Sequence, residues 1–267
     1  MDNGTNRPLA AVTGASSGIG LELAKQFAEN GFDVIVVAED QGIERAAREV
    51  QRGGGKVETV QADLTKYDEV ERFYSKVKEA GRPLEAIAIN AGVGVSGDFA
   101  TQTDLEKELY LINLNVVSTV HLAKRVLEDM VGRGNGRILF TSSIAATMPG
   151  PYEAVYNASK AFISSFAEGI RAELKDKGVT VTSLMPGPTE TNFFHRAGAE
   201  DTKLGASEKD DPAEVAREGY EALMAGKDKV VAGSFKNKLQ AAAGNFLPET
   251  ATAALHKKLT EPGSAKK

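Results

Sequence analysis

The feature that most constrains this chain is an alternation running from Leu9 to Met185. Short runs that are apolar on both faces are each followed by a stretch with helical spacing. Leu9 to Thr13, Val34 to Ala38, Val57 to Gln61, Leu84 to Asn90, Arg137 to Ser142 and Val179 to Met185 read as strands. The helical stretches are Ile19 to Asn30, Ile43 to Arg52, Lys66 to Ala80, a long one from Asp104 to Met130, and Ala154 to Lys177. In the first, Ile19, Leu23 and Phe27 fall at i, i+4 and i+8, and Gly31 fits the cap beyond its end. A strand apolar on both faces needs cover on both faces. The pattern therefore predicts an α/β fold, a doubly wound parallel sheet with helices on each side, connected by right-handed crossovers.

Past Met185 the pattern loosens. Residues 188–211 read as a lid, because a connection this long inside a domain is usually functional. Asp211 and Pro212 then open a helix to Ala225, as N-cap and first-turn residue, and Val230 to Ala232 is a candidate last strand. The expected organisation is a short N-terminus (1–7), one domain (8–235) and a C-terminal extension (236–267), with short helices at Leu239 to Phe246 and Ala251 to Leu259. The segment from Lys227 onward carries eight lysines against three acids, net +5, which leaves -10 for the rest of a chain whose net charge is -5. Three readings of this tail stand open: solvated surface, subunit interface, or contact with an anionic membrane surface.

Composition removes several kinds of chemistry. With no Cys there is no disulfide, thiolate metal site, iron–sulfur cluster or Cys nucleophile. The three His are far apart in sequence, so no metal site is expected. The negative net charge argues against nucleic acid as the main partner. No apolar run approaches a membrane span, and the polar stretch Met1 to Arg7 lacks a signal-peptide core, so the expected location is the cytoplasm.

Glycine placement is more informative than glycine number. The first strand runs directly into Gly14, Ser16, Ser17, Gly18, Ile19 and Gly20, and a helix starts there. Glycines allow a tight turn and close backbone approach, and a helix N-terminus offers free N–H groups to a phosphate. The literal dinucleotide fingerprint falls elsewhere, at Gly92, Gly94 and Gly97, but Phe99 to Thr103 separate it from the next helix, so it is set aside as a phosphate loop. At the end of the second strand stand Glu39 and Asp40, where an acid would bind ribose hydroxyls; the reading leans to NAD(H) over NADP(H).

Tyr156 and Lys160 lie four apart on one helix face. A free Tyr is too weakly acidic for proton transfer at neutral pH, and an adjacent ammonium would lower its pKa. Tyr74 and Lys78 have the same spacing and read as an exposed helix face. Tyr156 differs in having Ser143 upstream, at the carboxyl end of the fifth strand, where open α/β sheets place their sites. Thr141 and Ser142 beside it read equally well as turn residues.

With these residues in hand, the chain resembles the single-domain short-chain dehydrogenases/reductases over roughly residues 8–235. The matching pieces are TGASSGIG at 13–20, ADL at 62–64, NAG at 90–92, LNVV at 114–117, SSI at 142–144, YNASK at 156–160 and PGPTET at 186–191. The resemblance implies a Rossmann-like fold and a catalytic set of Asn115, Ser143, Tyr156 and Lys160. Tyr156 would be the general acid/base, Lys160 would lower its pKa and hold the nicotinamide ribose, Ser143 would polarise the substrate oxygen, and Asn115 would hold a relay water through a backbone kink. Asp63 and Leu64 would flank the adenine. Asn90, Ala91 and Gly92 would line the cofactor, and Pro186, Gly187, Thr189 and Thr191 would meet its carboxamide. One departure stands at the second strand: Ala38 and Glu39 occupy the places where NAD users tend to carry Asp and NADP users Arg.

The resemblance also places a substrate pocket between Ile144 and Tyr152 and in the lid. Met148, Tyr152, Phe193 and Phe194 are its candidate walls, suited to a small apolar carbonyl or alcohol, while His195 is a candidate polar contact or a solvent-facing residue. The expected function is hydride transfer between a nicotinamide cofactor and a ketone or secondary alcohol, in a homodimer or homotetramer. The alternatives are a non-catalytic dinucleotide-binding redox sensor and a dehydratase or epimerase. The complete catalytic set disfavours the sensor, and the short stretch after Pro186 disfavours the other two.

Overall fold

A computed structural model describes residues 7–235, 237–239, 241 and 248–266. Seven parallel strands form one sheet in the order β3-β2-β1-β4-β5-β6-β7. They are β1 (Leu9–Thr13), β2 (Asp33–Ala38), β3 (Val57–Gln61), β4 (Leu84–Ile89), β5 (Gly136–Thr141), β6 (Val179–Pro186) and β7 (Lys229–Ala232). The strand order reverses between β1 and β4, so their carboxyl ends open a crevice, the usual ligand position in such sheets.

The period-two alternation of the strands sends side chains into two cores. Ala10 and Val12 join Leu23 and Phe27 of α1 (Gly18–Glu29), Ile43 and Val50 of α2 (Gly42–Gln51), and Val215 and Leu223 of α8 (Pro212–Met224). Leu9 and Ala11 face the other side, with Phe73 of α3 (Tyr67–Glu79), Leu122 and Met130 of α5 (Ser118–Arg133), and Ile163 of α6 (Ala154–Leu174). Helix α8 starts as its sequence dictates: the Asp211 carboxylate accepts from the Ala213 N–H at 2.9 Å, and Pro212 takes the first turn.

The expected helix from Asp104 to Met130 is not continuous. It consists of α4 (Leu105–Ile112), a π-helical turn at Asn113–Val117, and α5. The connection after β6 is folded, with the short α7 (Phe193–Ala197) and a small apolar cluster of Phe194, Ala197 and Ala199. In the tail, α9 (Glu249–Thr260) covers the expected Ala251 to Leu259 helix. Most of the expected helix from Leu239 to Phe246 lies outside the described residues. Among the described residues, no helix is long and apolar enough to cross a membrane.

Candidate active site

The glycine turn shapes one end of a cleft above the carboxyl edges of β1 and β4. Gly14 and Gly18 adopt φ of +67° and +56°, which side chains resist. A Cβ on Gly14 would come within 2.8 Å of the Ala91 backbone, and one on Gly20 within 2.1 Å of the Gly14 carbonyl. The N-cap, Ser17, has extended backbone but no side-chain bond to the turn it starts, so the first N–H groups of α1 are left for another acceptor. This end therefore fits a pyrophosphate: glycines admit the group closely and the helix end favours its charge.

The cleft is lined by Gly14, Ser16, Ser17, Gly18, Ile19, Gly20, Glu39, Leu64, Asn90, Ala91 and Gly92 at that end, and by Ser143, Tyr156, Lys160, Pro186, Gly187, Thr189, Thr191, Phe193 and Phe194 toward the other. The cleft is open to solvent at its mouth and runs without interruption from the glycine turn to Phe193 and Phe194. Four expected residues stay off its wall. Asp63 turns to Thr65, accepting from its hydroxyl at 2.7 Å, and pairs with Lys66. Burial alone would raise the Asp63 carboxyl, but the Thr65 hydrogen bonds and the Lys66 ammonium hold it below the usual range. Met148 and Tyr152 also lie outside the lining. Tyr152 has a left-handed φ of 65°, and its carbonyl accepts from the Gly97 N–H at 2.8 Å, so it shapes the loop instead.

Asn115 is the fourth. It sits in the π-helical turn, which is the expected kink, and is fully buried. Its side-chain oxygen accepts from Val93 N–H at 2.9 Å, while its nitrogen donates to Val93 O at 2.9 Å and to Ser159 Oγ at 3.0 Å. The amide ties the loop after β4 to α6 at Ser159, the residue before Lys160 and three after Tyr156. Asn90 makes a similar brace: its N–H donates to Thr13 Oγ1 at 2.9 Å, its side-chain nitrogen to Thr13 O at 3.1 Å, and its oxygen accepts from Thr141 Oγ1 at 3.1 Å. The set-aside glycines serve close packing: a Cβ on Gly92 would crowd Asn115 Oδ1 at 3.1 Å, and one on Gly94 the Phe193 ring at 2.6 Å.

Tyr156 is partly buried and stands 5.1 Å, ring to ring, from Phe193 of α7. Burial pushes its phenol above the ordinary range; hydrogen bonding with Ser143 works against this, and the Glu153 carboxylate adds to it. Lys160 is buried, with Nζ donating to the Thr141 carbonyl at 2.9 Å and standing 5.8 Å from the Tyr156 ring centre. Burial pushes its pKa down from 10.5 to about 8. The expected lowering of Tyr156 by Lys160 is therefore not what the chain alone provides: the amine is turned to a carbonyl and its own charge is disfavoured. Ser143 Oγ caps the following turn, accepting from Ala145 N–H at 3.1 Å.

At the outer strand edge the Glu39 carboxylate accepts from Tyr110 at 2.5 Å, and the Asp40 carboxylate accepts from Ser16 Oγ at 2.7 Å and Gly42 N–H at 2.9 Å. His195 faces solvent, its Nδ1 2.9 Å from Glu200. Glu153 and His256 line the cleft without being expected there, and Arg196 and Leu204, expected only as part of the pocket segment Asn192 to Leu204, line it too. His256 comes from α9, a segment with no motif to mark it.

Comparisons with known proteins agree with this geometry. The family model for short chain dehydrogenase matches residues 8–202. A Staphylococcus saprophyticus protein described as an uncharacterized oxidoreductase is 32% identical over 218 residues, covering 81% of this chain and 91% of its own. A short-chain dehydrogenase from Sphingobium yanoikuyae, solved in complex with NADPH, superposes with a TM-score of 0.77 at 30% identity over 84% of this chain and 87% of its own. A bulky-bulky ketone specific alcohol dehydrogenase from Comamonas testosteroni gives 0.76 at 27% identity, covering 89% and 92%. A seven-stranded doubly wound sheet, a glycine turn opening onto a free helix end, and a tyrosine and lysine facing the same cleft thus accompany a family match over most of the chain: it belongs to the short-chain dehydrogenases.

Proposed function

We propose that this chain is a nicotinamide-dependent oxidoreductase that reduces a ketone, or oxidises a secondary alcohol, of mainly apolar character. The observation that carries this reading is Tyr156. Its phenol holds its proton at neutral pH and stands between the glycine-turn end of the cleft and the aromatic Phe193. A protonated phenol beside a carbonyl oxygen is a general acid. Ser143 supplies a second hydroxyl at the same place and orients the oxygen. Lys160 stands behind Tyr156 and restores its proton, and Asn115 holds the backbone that places both. A nicotinamide dinucleotide fits the other end: the α1 terminus and glycine turn would hold its pyrophosphate, Glu39 its adenosine ribose, and the bound ring would supply the hydride.

Turnover of a panel of aryl and alicyclic ketones and alcohols with both cofactors tests the reading. The expected result is turnover with deuterium delivered from labelled cofactor to the carbonyl carbon. Cofactor binding without turnover anywhere on the panel overturns it and favours a sensor. Glu39 and Asp40 put negative charge where a 2′-phosphate would sit, so NADH binds more tightly than NADPH by about tenfold, roughly 1.4 kcal/mol. Calorimetry that finds NADPH tighter reverses the assignment. The likeness to a structure holding NADPH does not carry the choice over, because the choice rests on these two side chains. Leu105, Leu109, Val120 and Phe162 are exposed along α4, α5 and α6, an apolar face suited to a second copy of the chain, which light scattering would register as a dimer or tetramer.

A further inference from the structure

Helix α9 brings an imidazole to the substrate end of the cleft. His256 is 4% exposed and Glu153, three residues before Tyr156, is 5% exposed, yet both line the cavity. His256 Nε2 lies 3.5 Å from the Glu153 carboxylate. Neither ring nitrogen has a hydrogen-bond partner among the described residues. Two buried polar atoms without partners are costly, and a native wall holds such atoms when something else completes them. The neighbouring wall is apolar, with Phe193, Phe194 and Leu204.

The position of the ring is fixed from both sides of the cleft. Thr260 Oγ1 donates to Pro151 O at 2.8 Å on the loop that precedes Glu153, and Leu204 N–H of the lid donates to Leu259 O at 2.9 Å. Beyond the helix, Ala265 N–H donates to Asp201 O and Lys203 N–H to Ser264 Oγ, each at 2.9 Å. Helix α9 and the residues just after it are thus part of the pocket, stitched to its two walls.

We propose that His256, oriented by Glu153, forms a polar subsite for a hydroxyl group of the substrate remote from the reacting carbon. A ring proton on Nε2 faces the Glu153 carboxylate, which leaves Nδ1 as an acceptor. An acceptor takes a hydroxyl, and Glu153 repels a carboxylate or phosphate at the same place. The substrate class is therefore a ketone, or its alcohol, with an apolar frame and a second, neutral hydroxyl. This deepens the ketone reading above and rests on it.

The test compares 4-phenylbutan-2-one with its meta- and para-hydroxyphenyl counterparts, using the full chain and its cofactor. The readout is the ratio of kcat/KM for a hydroxylated ketone to that for the parent, which partial loss of folded enzyme does not move. Wild type is expected to favour at least one hydroxylated ketone about tenfold, through KM. In His256→Phe that ratio falls to about one, and in Glu153→Leu it falls several-fold. Equal ratios in wild type and His256→Phe for every isomer overturn the proposal while leaving the ketone reading intact. If wild type turns over none of the three, the ketone reading is decided by the wider panel above, and the subsite is read by calorimetric binding of the same compounds to the NADH complex. Tighter binding of a hydroxylated compound in wild type but not in His256→Phe supports the subsite; equal binding, or none, overturns it.

Discussion

Tyr74 and Lys78 on α3, and Tyr156 and Lys160 on α6, are two tyrosine–lysine pairs with one spacing in one molecule. Around the first pair the deciding group is the Asp129 carboxylate of α5. Tyr74 donates to it at 2.8 Å and Lys78 at 2.9 Å, so both polar ends are consumed in joining two helices. The Lys78 side chain is 55% exposed, and burial together with the Asp129 hydrogen bond pushes the Tyr74 phenol up to about 12. Around the second pair, among the described residues, no carboxylate takes up the amine: buried Lys160 donates to a main-chain carbonyl, and Tyr156 looks into a cleft. The spacing puts both groups on one face. The partner across that face decides whether they staple helices or face an open cleft.

The first way to break this comparison is to remove each amine. Lys160→Ala is expected to lower turnover about 100-fold, within the range for losing support of a general acid, and Lys78→Ala to leave it within about twofold. Equal losses would erase the distinction. A smaller effect concerns pH. The Lys160 pKa is lowered from 10.5 to about 8 on folding, so the unfolded chain holds the proton more tightly. Below pH 8 both states are charged and the whole penalty of the buried ammonium is present. Between pH 8 and 10.5 the folded state releases its proton first, and stability rises with pH. Urea unfolding of wild type against Lys160→Met should therefore show the gap moving toward wild type across that window, by at most about 3 kcal/mol. Parallel pH profiles contradict the burial argument. Smallest is Tyr74→Phe, which removes the bond to Asp129 and should cost about 1 kcal/mol of stability, read as a lower urea midpoint.

The sheet, the glycine turn and the residues of the second pair were legible because each is local. A strand buried on both faces is apolar throughout, as Leu9 to Thr13 is, and a turn that must take φ of +67° and admit another backbone shows Gly14. What escaped depends on side-chain direction, local hydrogen bonding or docking, none of which shows in the apolar pattern. The π-helical turn at Asn113–Val117 is expected only through the resemblance, as a kink at Asn115; the apolar spacing alone reads the Asp104 to Met130 stretch as unbroken. Asp63 sits in a matching motif, but Thr65 and Lys66 take its carboxylate. Met148 and Tyr152 were assigned by loop position, which says nothing of side-chain direction. His256 reaches the cleft only because Pro151 and Leu204 dock α9, and neither contact leaves a pattern in the tail. The basic charge of the tail marks its surface, whereas its buried His256 lines the cleft.

The most direct measurement is kcat/KM for one ketone with NADH in wild type, Tyr156→Phe and Tyr74→Phe. The account predicts a loss of about 10²- to 10⁴-fold in Tyr156→Phe and a change within about twofold in Tyr74→Phe. Undiminished turnover in Tyr156→Phe, or an equal loss in both variants, would contradict it.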